Sequence, residues 1–349
     1  MSYEPGTNQY SRFFYGSVTR NTDLRTKQFK IESVHRRHWS TGDFVVGRAK
    51  GVRNRLYRCE TEHGRLANLI PGDLLVGALG VRAATLEATG DWHDVGEDLE
   101  IHALTPAGLF GKTTSISPFL PDLVTMDYCG HVVRDAKQLN MIDFVRPVLA
   151  QSFDLPVILL IGTSMSAGKT TSAQVIIRTL NHLGYKVAAA KLTGAARYRD
   201  ILSFGDAGAE DIFDFVDAGL PSTVCPEDRF RTALGVLLDK VSATQADVLV
   251  AEAGASPLEP YNGACAQEML GPNTCFVLLC ASDPYAVLGV RTAFGSDFNV
   301  DLVTGPAANT LAGVNLVKKL CDLPALNLLD QSSHPMLEDM LKKALHNAG

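Results

Sequence analysis

The sequence lacks long apolar segments of the kind that cross a membrane. Its longest apolar runs, near residues 155–161 and 275–281, have the length of a strand and are far too short to span a bilayer. Residues 1–10 contain neither a basic start nor an apolar core. We therefore expect no secretory signal, no membrane partner and a cytoplasmic protein.

The sequence also lacks paired cysteines and metal-binding histidine motifs. Its seven cysteines are scattered, odd in number and contain no Cys-x-x-Cys pair, and its nine histidines show no His-Glu-x-x-His spacing. This usage predicts reduced thiols that fill the core, and it argues against a structural zinc. The only metal ion that the sequence predicts is the Mg²⁺ that a nucleotide would bring.

The composition is that of an ordinary globular protein without a strong charge bias. A chain of 349 residues exceeds what one hydrophobic core usually serves, so we expect two domains. The net charge is −6, yet residues 20–60 hold eleven Arg and Lys against four Asp and Glu. Such a local excess could attract an anionic ligand or nucleic acid, but a solvated basic face or a subunit contact is the favoured explanation. The segment does not show the interleaved aromatic pattern of a nucleic-acid-binding surface, so nucleic acid is not an expected partner.

One stretch, residues 155–171, predicts a phosphate-binding loop. An apolar run of strand length meets a loop of small residues, which ends in Gly-Lys-Thr-Thr before a helix-like segment at 172–180. A polyphosphate needs several converging backbone N–H groups and a helix N-terminus. Lys169 would reach the terminal phosphates, and Thr170 would place its hydroxyl on Mg²⁺. The residues predicted to bind the nucleotide here are Gly162, Thr163, Ser164, Ser166, Ala167, Gly168, Lys169, Thr170 and Thr171.

The spacing of this loop departs by one position from the common form G-x-x-x-x-G-K-[ST]. Thr163 stands where the first glycine is expected, and Gly162 lies one residue earlier. A second Gly-Lys-Thr-Thr at 111–114 lacks the upstream loop and runs into Ser-Ile-Ser-Pro, so no helix can follow it directly. We therefore predict that phosphate binds at 162–171 and not at 111–114.

Residues 1–150 predict a smaller, mostly β, barrel-like N-terminal domain. Residues 1–40 are polar and are predicted to form a basic arm with one short strand or helix. Gly42-Asp43 before an apolar strand recurs as Gly72-Asp73 before another, at a spacing of thirty residues. This echo resembles the Gly-Asp turns of small β-barrels with two-fold pseudosymmetry, although two such turns could coincide in a glycine-rich segment. Further strands are predicted at 83–89, 99–105 and 126–133, and a linker near 147–154.

Residues 151–349 predict an α/β domain with a doubly wound parallel sheet. Strands and helices alternate there, which implies a parallel sheet with helices on both faces. After the loop, strands are predicted at 186–191, 246–252, 274–281, 299–304 and 325–329. The predicted helices are 208–218, 229–243, 262–270, 284–293, 309–321 and 335–346.

Polar residues follow three of these strands, where ligands collect in such sheets. The groups are Lys191 to Gly194, Glu252 to Ser256 and Ser282 to Pro284. Glu252 follows an apolar strand, and a carboxylate there is unfavourable unless it meets a cation such as Mg²⁺. A structural carboxylate bonded to backbone is the alternative for Glu252, and a surface lysine is the alternative for Lys191. Asp200 or Asp206 could complete the metal site.

These motifs together resemble dethiobiotin synthetase and its relatives in the MinD and signal-recognition class of P-loop proteins. The resemblance implies ATP phosphates on the loop, with Lys191 binding phosphate and substrate. It also implies Mg²⁺ held by Glu252 and by an aspartate such as Asp200. Over residues 150–349 the chain looks closer to a two-domain P-loop family that includes D-glutamate N-acetyltransferase, on the segments 214–219 and 252–263. By position, that resemblance places the nucleotide base near 304–310 and Asn309.

Two motifs of related proteins are absent. Ser164 occupies the place of the signature lysine of MinD and ParA proteins, which argues against cargo-positioning ATPases and their kin. The guanine-reading Asn-Lys-x-Asp is missing, which favours adenine.

Three functions therefore remain open. The first is an enzyme that uses ATP and Mg²⁺ to activate a small carboxylate or hydroxyl by phosphoryl transfer, as a ligase or kinase does, with Lys169, Lys191 and Glu252 as catalytic residues. The second is an acyltransferase whose loop holds the phosphates of acetyl-CoA. The third is a slow NTPase that acts as an assembly factor. The expected partners are a nucleotide and a small anionic substrate, and relatives of this kind usually pair, so we expect a homo-oligomer.

Overall fold

The computed structural model describes residues 12–51, 58–146, 148–149, 152–254, 256–294 and 299–348. The chain divides into two compact units, each made of more than one segment. The first comprises Met1–Pro147, Ala195–Arg199 and Phe215–Pro226, and the second comprises Val148–Gly194, Asp200–Asp214 and Glu227–Gly349. The domain border predicted at 150 and 151 lies outside the described residues. Two short segments that the sequence assigned to the second domain, 195–199 and 215–226, belong to the first unit.

The first unit is built from short strands with 3₁₀ turns between them. The strands are β1 (Phe13–Tyr15), β2 (Lys30–Glu32), β3 (Phe44–Gly51), β4 (Arg58–Glu60), β5 (Leu66–Asn68), β6 (Leu74–Leu79), β7 (Val81–Ala83), β8 (Ala88–Asp91), β9 (Glu100–Thr105), β10 (Leu109–Ile116), β11 (Thr125–Arg134) and β12 (Lys137–Gln138).

Five of these strands close into a ring, which agrees with the predicted barrel-like domain. The order is β6-β3-β11-β9-β10, with antiparallel pairs throughout. Strand β10 then returns to β6 in a parallel pairing, Leu109 opposite Ala78. Alternating side chains such as Val45, Leu75 and Phe110 are completely buried. Closure gives each of the five strands a partner on both sides, so none of them is an open edge.

The two Gly-Asp turns of the ring are equivalent, as the sequence echo predicts. Gly42 and Gly72 have φ of +90° and +92°, a conformation that glycine adopts without strain. The Gly42 N–H donates to the carbonyl of Leu79, and the Gly72 N–H donates to the carbonyl of Ala49, both at 2.8 Å. Each following aspartate accepts the amide three residues before it, at 2.7 and 2.8 Å. The pair therefore has local two-fold pseudosymmetry.

Two predictions for the N-terminal region are wrong. The described part of residues 1–40 is no arm, because β1 pairs with β6, β2 pairs with β11 and Leu24 is fully buried. The strand predicted over 83–89 is instead the hairpin of β7 and β8.

The second Gly-Lys-Thr-Thr lies within β10, where Lys112 pairs with Glu100 at 2.9 Å.

The second unit alternates strands and helices along the chain. Its strands are β13 (Val157–Gly162), β14 (Val187–Thr193), β15 (Asp211–Asp214), β16 (Val248–Ala253), β17 (Thr274–Cys280) and β18 (Leu302–Thr304). Its helices are α1 (Lys169–His182), α2 (Tyr198–Asp206, which begins in the first unit), α3 (Glu227–Ser242), α4 (Gly263–Leu270), α5 (Pro284–Phe294), α6 (Leu311–Cys321) and α7 (His334–Ala348).

The six strands form one parallel sheet in the order β15-β14-β16-β13-β17-β18. Every residue of β13, β14 and β16 is buried, as continuous apolar strands covered on both faces must be. The α/β fold class with a parallel sheet is thus confirmed. The carboxyl ends of β13, β14 and β16 lie side by side.

Two predicted elements of the second half are wrong. The helix predicted over 208–218 is the edge strand β15 followed by a 3₁₀ turn at Phe215–Ala218, because Gly208 at φ +103° ends the preceding α2 and the next residues pair with β14. The strand predicted over 325–329 is a single bridge between Val303 and Ala325. Within the described ranges, no helix combines the length and hydropathy needed to cross a bilayer.

Candidate functional site

The loop between β13 and α1 leaves a run of backbone N–H groups available. Gly168, at φ +94°, and Ser166, at φ +61°, both take the left-handed conformation just before the helix. In the part of the chain that is described, the N–H groups of residues 164–171 donate to no protein acceptor, whereas Thr163 N donates to the carbonyl of Cys280 at 3.0 Å. Free amides at a helix N-terminus form a site for an anion.

Lys169, the first residue of α1, bends back over this loop. Its Nζ donates to the carbonyl of Ser164 at 2.7 Å, and the residue is only 5% exposed. Burial lowers the pKa of Lys169, while the carboxylate of Glu252 opposes that effect. A buried ammonium group on the loop itself is placed to meet a bound anion.

Glu252 lies at the end of β16, between the loop strand and the next strand. It stands opposite Leu160 of β13 and opposite Lys191 of β14. Its Oε2 accepts a hydrogen bond from the Thr170 hydroxyl at 3.1 Å. Burial raises the pKa of Glu252, opposed by the charges of Lys191 and Lys169. The strand-end carboxylate and the loop hydroxyl, each predicted to meet Mg²⁺, are therefore in direct hydrogen-bond contact.

Lys191 connects Glu252 to Asp200. Its Nζ forms an ion pair with the Asp200 carboxylate. Burial by itself lowers the pKa of Lys191, but the charges of Asp200 and Glu252 outweigh burial and raise the pKa overall. Of the two aspartates that the sequence left open, Asp200 joins the site through Lys191, whereas Asp206 is exposed at the end of α2.

The donor atoms suit Mg²⁺ better than a transition metal. A hydroxyl from Thr170 and a carboxylate from Glu252 are the hard oxygen ligands that Mg²⁺ takes, usually alongside phosphate oxygens and water. Among the described residues, no group of three or more His, Cys, Asp or Glu lies close enough to hold a metal ion. A cation here would therefore need the oxygens of a bound ligand to complete its shell.

A cavity of about 160 Å³ opens beside the loop. It is lined by Gly168 and Thr171 on one side and by Thr304, Asn309 and Asn327 on the other. Asn309, predicted to contact the base, thus lies next to the loop. Asn327 was not predicted, because nothing in the sequence around it marks a site; its side-chain amide donates to the carbonyl of Asn309 at 3.4 Å.

Gly305 brings the segment that carries Asn309 close to the loop. Its φ is +86°, and a Cβ built on it would lie 2.4 Å from the carbonyl oxygen of Ala167. Ser282, in the third predicted strand-end group, also reaches the loop, because its N–H donates to Thr163 Oγ1 at 3.1 Å. Two of the three strand ends named from the sequence, those with Glu252 and Ser282, thus contact residues 163–170, whereas Lys191 stands next to Glu252.

Comparisons with known proteins identify no family. No protein-family model matches the chain, and no curated protein sequence matches it. Among solved structures, chloroplast FtsY from Physcomitrella patens is 16% identical, with 57% of this chain and 67% of that chain covered, at a TM-score of 0.37. HypB from Helicobacter pylori in complex with nickel is 14% identical, with 56% and 88% covered, at 0.36. A DUF1611 family protein from Anabaena variabilis is 15% identical, with 58% and 60% covered, at 0.35.

The sheet, the loop and the helix that follows it define the second unit by themselves. A buried parallel strand, a small-residue loop with free amides and a lysine at the helix start constitute a P-loop NTPase-like fold. Membership of the MinD and signal-recognition class, or of the family that includes D-glutamate N-acetyltransferase, stays a prediction.

Proposed function

We propose that the second unit binds ATP with Mg²⁺ and catalyses phosphoryl transfer from it to a small carboxylate or hydroxyl. The observation that carries this proposal is the run of unbonded N–H groups from Ser164 to Thr171, with the buried Lys169 ammonium lying over it. A polyphosphate is the common biological ligand for such a cup.

The charged residues have distinct roles in this proposal. Lys169 and Lys191 supply positive charge beside the phosphates, where phosphoryl transfer develops negative charge. Thr170 and Glu252 would hold Mg²⁺, which neutralises charge on the transferred group when it is bound. Asp200 orients Lys191 through their ion pair. Catalysis would therefore depend on positioning and electrostatics.

The cavity beside the loop would receive the base. Asn309 and Asn327 offer it amide groups, and Leu328 and Leu329 offer it apolar surface. We propose adenine, because the guanine-reading Asn-Lys-x-Asp sequence is missing. Homo-oligomerisation and a cytoplasmic location stay predictions.

Nucleotide titration of matched variants tests the proposal. The chain offers its own control, because Gly-Lys-Thr-Thr occurs twice and Lys112 of β10 is the counterpart of Lys169. With ATP and Mg²⁺ in isothermal calorimetry, we expect Lys169→Ala to weaken binding by about tenfold or more, since it removes a charge-assisted contact to phosphate. Lys112→Ala should bind ATP as the wild type does. Circular dichroism of both variants checks that the fold is retained.

The same titration separates the alternatives. Binding of acetyl-CoA without binding of ATP would contradict phosphoryl transfer and support the acyltransferase. Tighter binding of GTP than ATP would contradict the choice of adenine. ATP turnover in Lys169→Ala at the wild-type rate would refute the proposed mechanism. Hydrolysis that accelerates only when a macromolecule is added would favour the assembly factor.

A further inference from the structure

The first unit contains a cavity of about 420 Å³ that carries an excess of positive charge. Four arginines line it, Arg58, Arg82, Arg197 and Arg199, against two glutamates. Its volume lies within the range of about 300–1,000 Å³ that is usual for small-molecule sites. All of its lining residues belong to the first unit.

Both glutamates are already engaged by protein groups. Glu60 is completely buried and accepts the N–H of Tyr198 at 2.7 Å and the N–H of Arg199 at 3.2 Å. Glu87 forms an ion pair with Arg82. Glu60 thus fixes the backbone that carries Arg199, and Glu87 balances one guanidinium only.

Two of the other guanidinium groups, those of Arg58 and Arg199, have no carboxylate partner among the described residues. Over the ranges that the structure describes, neither Arg58 nor Arg199 forms an ion pair, and both are exposed at the cavity. Arg82 is only 7% exposed, and its buried Nε has no hydrogen-bond partner among the described residues. A buried guanidinium N–H without an acceptor is unfavourable, so an acceptor that reaches this atom would be bound favourably.

We infer that this cavity binds a small organic anion with at least two negative charges on carboxylate or phosphate groups. The planar fork of an arginine matches either group with two parallel hydrogen bonds. The other walls include Leu66, Leu120 and Leu123, which suit a short aliphatic skeleton between the charged ends. The inference does not depend on the proposed function, because every residue used lies in the first unit.

Calorimetric titration of the full chain at low salt tests this inference. The probes are citrate and succinate for carboxylates, pyrophosphate for phosphates, and succinamide as a neutral control. We expect saturable binding of at least one anion and none of succinamide. Arg199→Gln and Arg58→Gln should each weaken that binding by about tenfold or more. Arg199→Gln keeps the backbone N–H that Glu60 accepts, so the fold should persist.

Two further variants locate the binding. Arg37→Gln removes one exposed charge of the same unit away from the cavity, and it should change affinity by less than about twofold. Lys169→Ala should leave binding to the cavity unchanged, which separates this site from the phosphate loop. Equal weakening by Arg37→Gln and Arg199→Gln, complete loss in Lys169→Ala, or no saturable binding of any anion at millimolar concentration would each overturn the inference.

Discussion

Replacing Lys191 by methionine tests whether the buried charges of the site stabilise one another. The change removes the ammonium that forms an ion pair with Asp200. It also leaves Glu252 buried at 3% exposure with one positive neighbour fewer. Breaking a buried ion pair typically costs about 3–5 kcal/mol. The Asp200 side chain is 22% exposed and water screens it, so we expect a loss of about 2–3 kcal/mol in the free energy of unfolding.

The two units can be followed separately in this experiment. Both tryptophans, Trp39 and Trp92, lie in the first unit, whereas six of the seven helices lie wholly in the second and α2 lies mostly there. Far-ultraviolet circular dichroism therefore reports mainly on the second unit, and tryptophan fluorescence reports on the first. During denaturation by urea, Lys191→Met should lower the stability seen by circular dichroism. The fluorescence transition serves as an internal reference.

The double variant with Asp200→Asn and a change of pH complete the test. The two substitutions should be non-additive, with a coupling of about 1 kcal/mol or more, because each removes the same pair. The loss in Lys191→Met should also shrink from about pH 7 to about pH 5, because without the lysine the pKa of Glu252 rises further and its charge is lost more readily. Additive effects together with an equal loss at both pH values would refute the electrostatic explanation.

Two more predictions concern the same unit. The pKa of Glu252 is raised in the folded state, so the folded protein binds this proton at pH values where the unfolded chain has lost it. Wild-type stability should therefore fall as the pH rises above the ordinary pKa of 4.5. Glu252→Gln should remove that fall in melts followed by circular dichroism. An unchanged pH profile would contradict burial as the cause. Gly305→Ala should destabilise this unit by about 1–3 kcal/mol, because the residue has a positive φ and its new Cβ would collide with the carbonyl oxygen of Ala167. Gly289→Ala is the control: it lies on α5 with open space around it, and the change should stabilise the unit by about 0.5–1 kcal/mol. If urea denaturation shows the two alanine variants to be equally stable, the close approach of Gly305 has no energetic importance.

The loop and the charged strand ends could be predicted from the sequence because their signals are local. Residues 155–171 contain the strand, the loop and the helix start in one contiguous stretch. Lys191 and Glu252 could be brought together because parallel strands end at one edge of a sheet. The pairing of Lys191 with Asp200 could not be predicted, since it depends on where α2 places Asp200, and no helix was predicted over Tyr198–Asp206.

One of the two errors in the second half, at residues 208–218, has a cause in the tertiary structure. Segments 195–199 and 215–226 belong to the first unit, so the residues between them must fit a path set by tertiary structure and not by local preference. Residues 208–218 were accordingly predicted as a helix, although they contain the edge strand β15. Asn327 was missed for a similar reason, because its neighbourhood at Asn309 is formed only by folding.

The basic cavity of the first unit could not be predicted from the sequence. Of the excess charge in residues 20–60, only Arg58 lines it. Its other arginines come from β7 and from the segment that carries Arg197 and Arg199. No short motif joins positions so far apart.

The first unit is discontinuous in sequence, and this affects both its synthesis and its truncation. The acceptor atoms of Glu60 find their amide donors at Tyr198 and Arg199, some 140 residues later in the chain. The Ser17 hydroxyl also donates to Glu60 Oε1 and precedes it in the chain, but a polypeptide emerging from the ribosome must reach residue 199 before both amides are available. A fragment ending at residue 150 would retain the ring of strands, yet its buried Glu60 carboxylate would keep the Ser17 hydroxyl as a donor and lose both backbone amides.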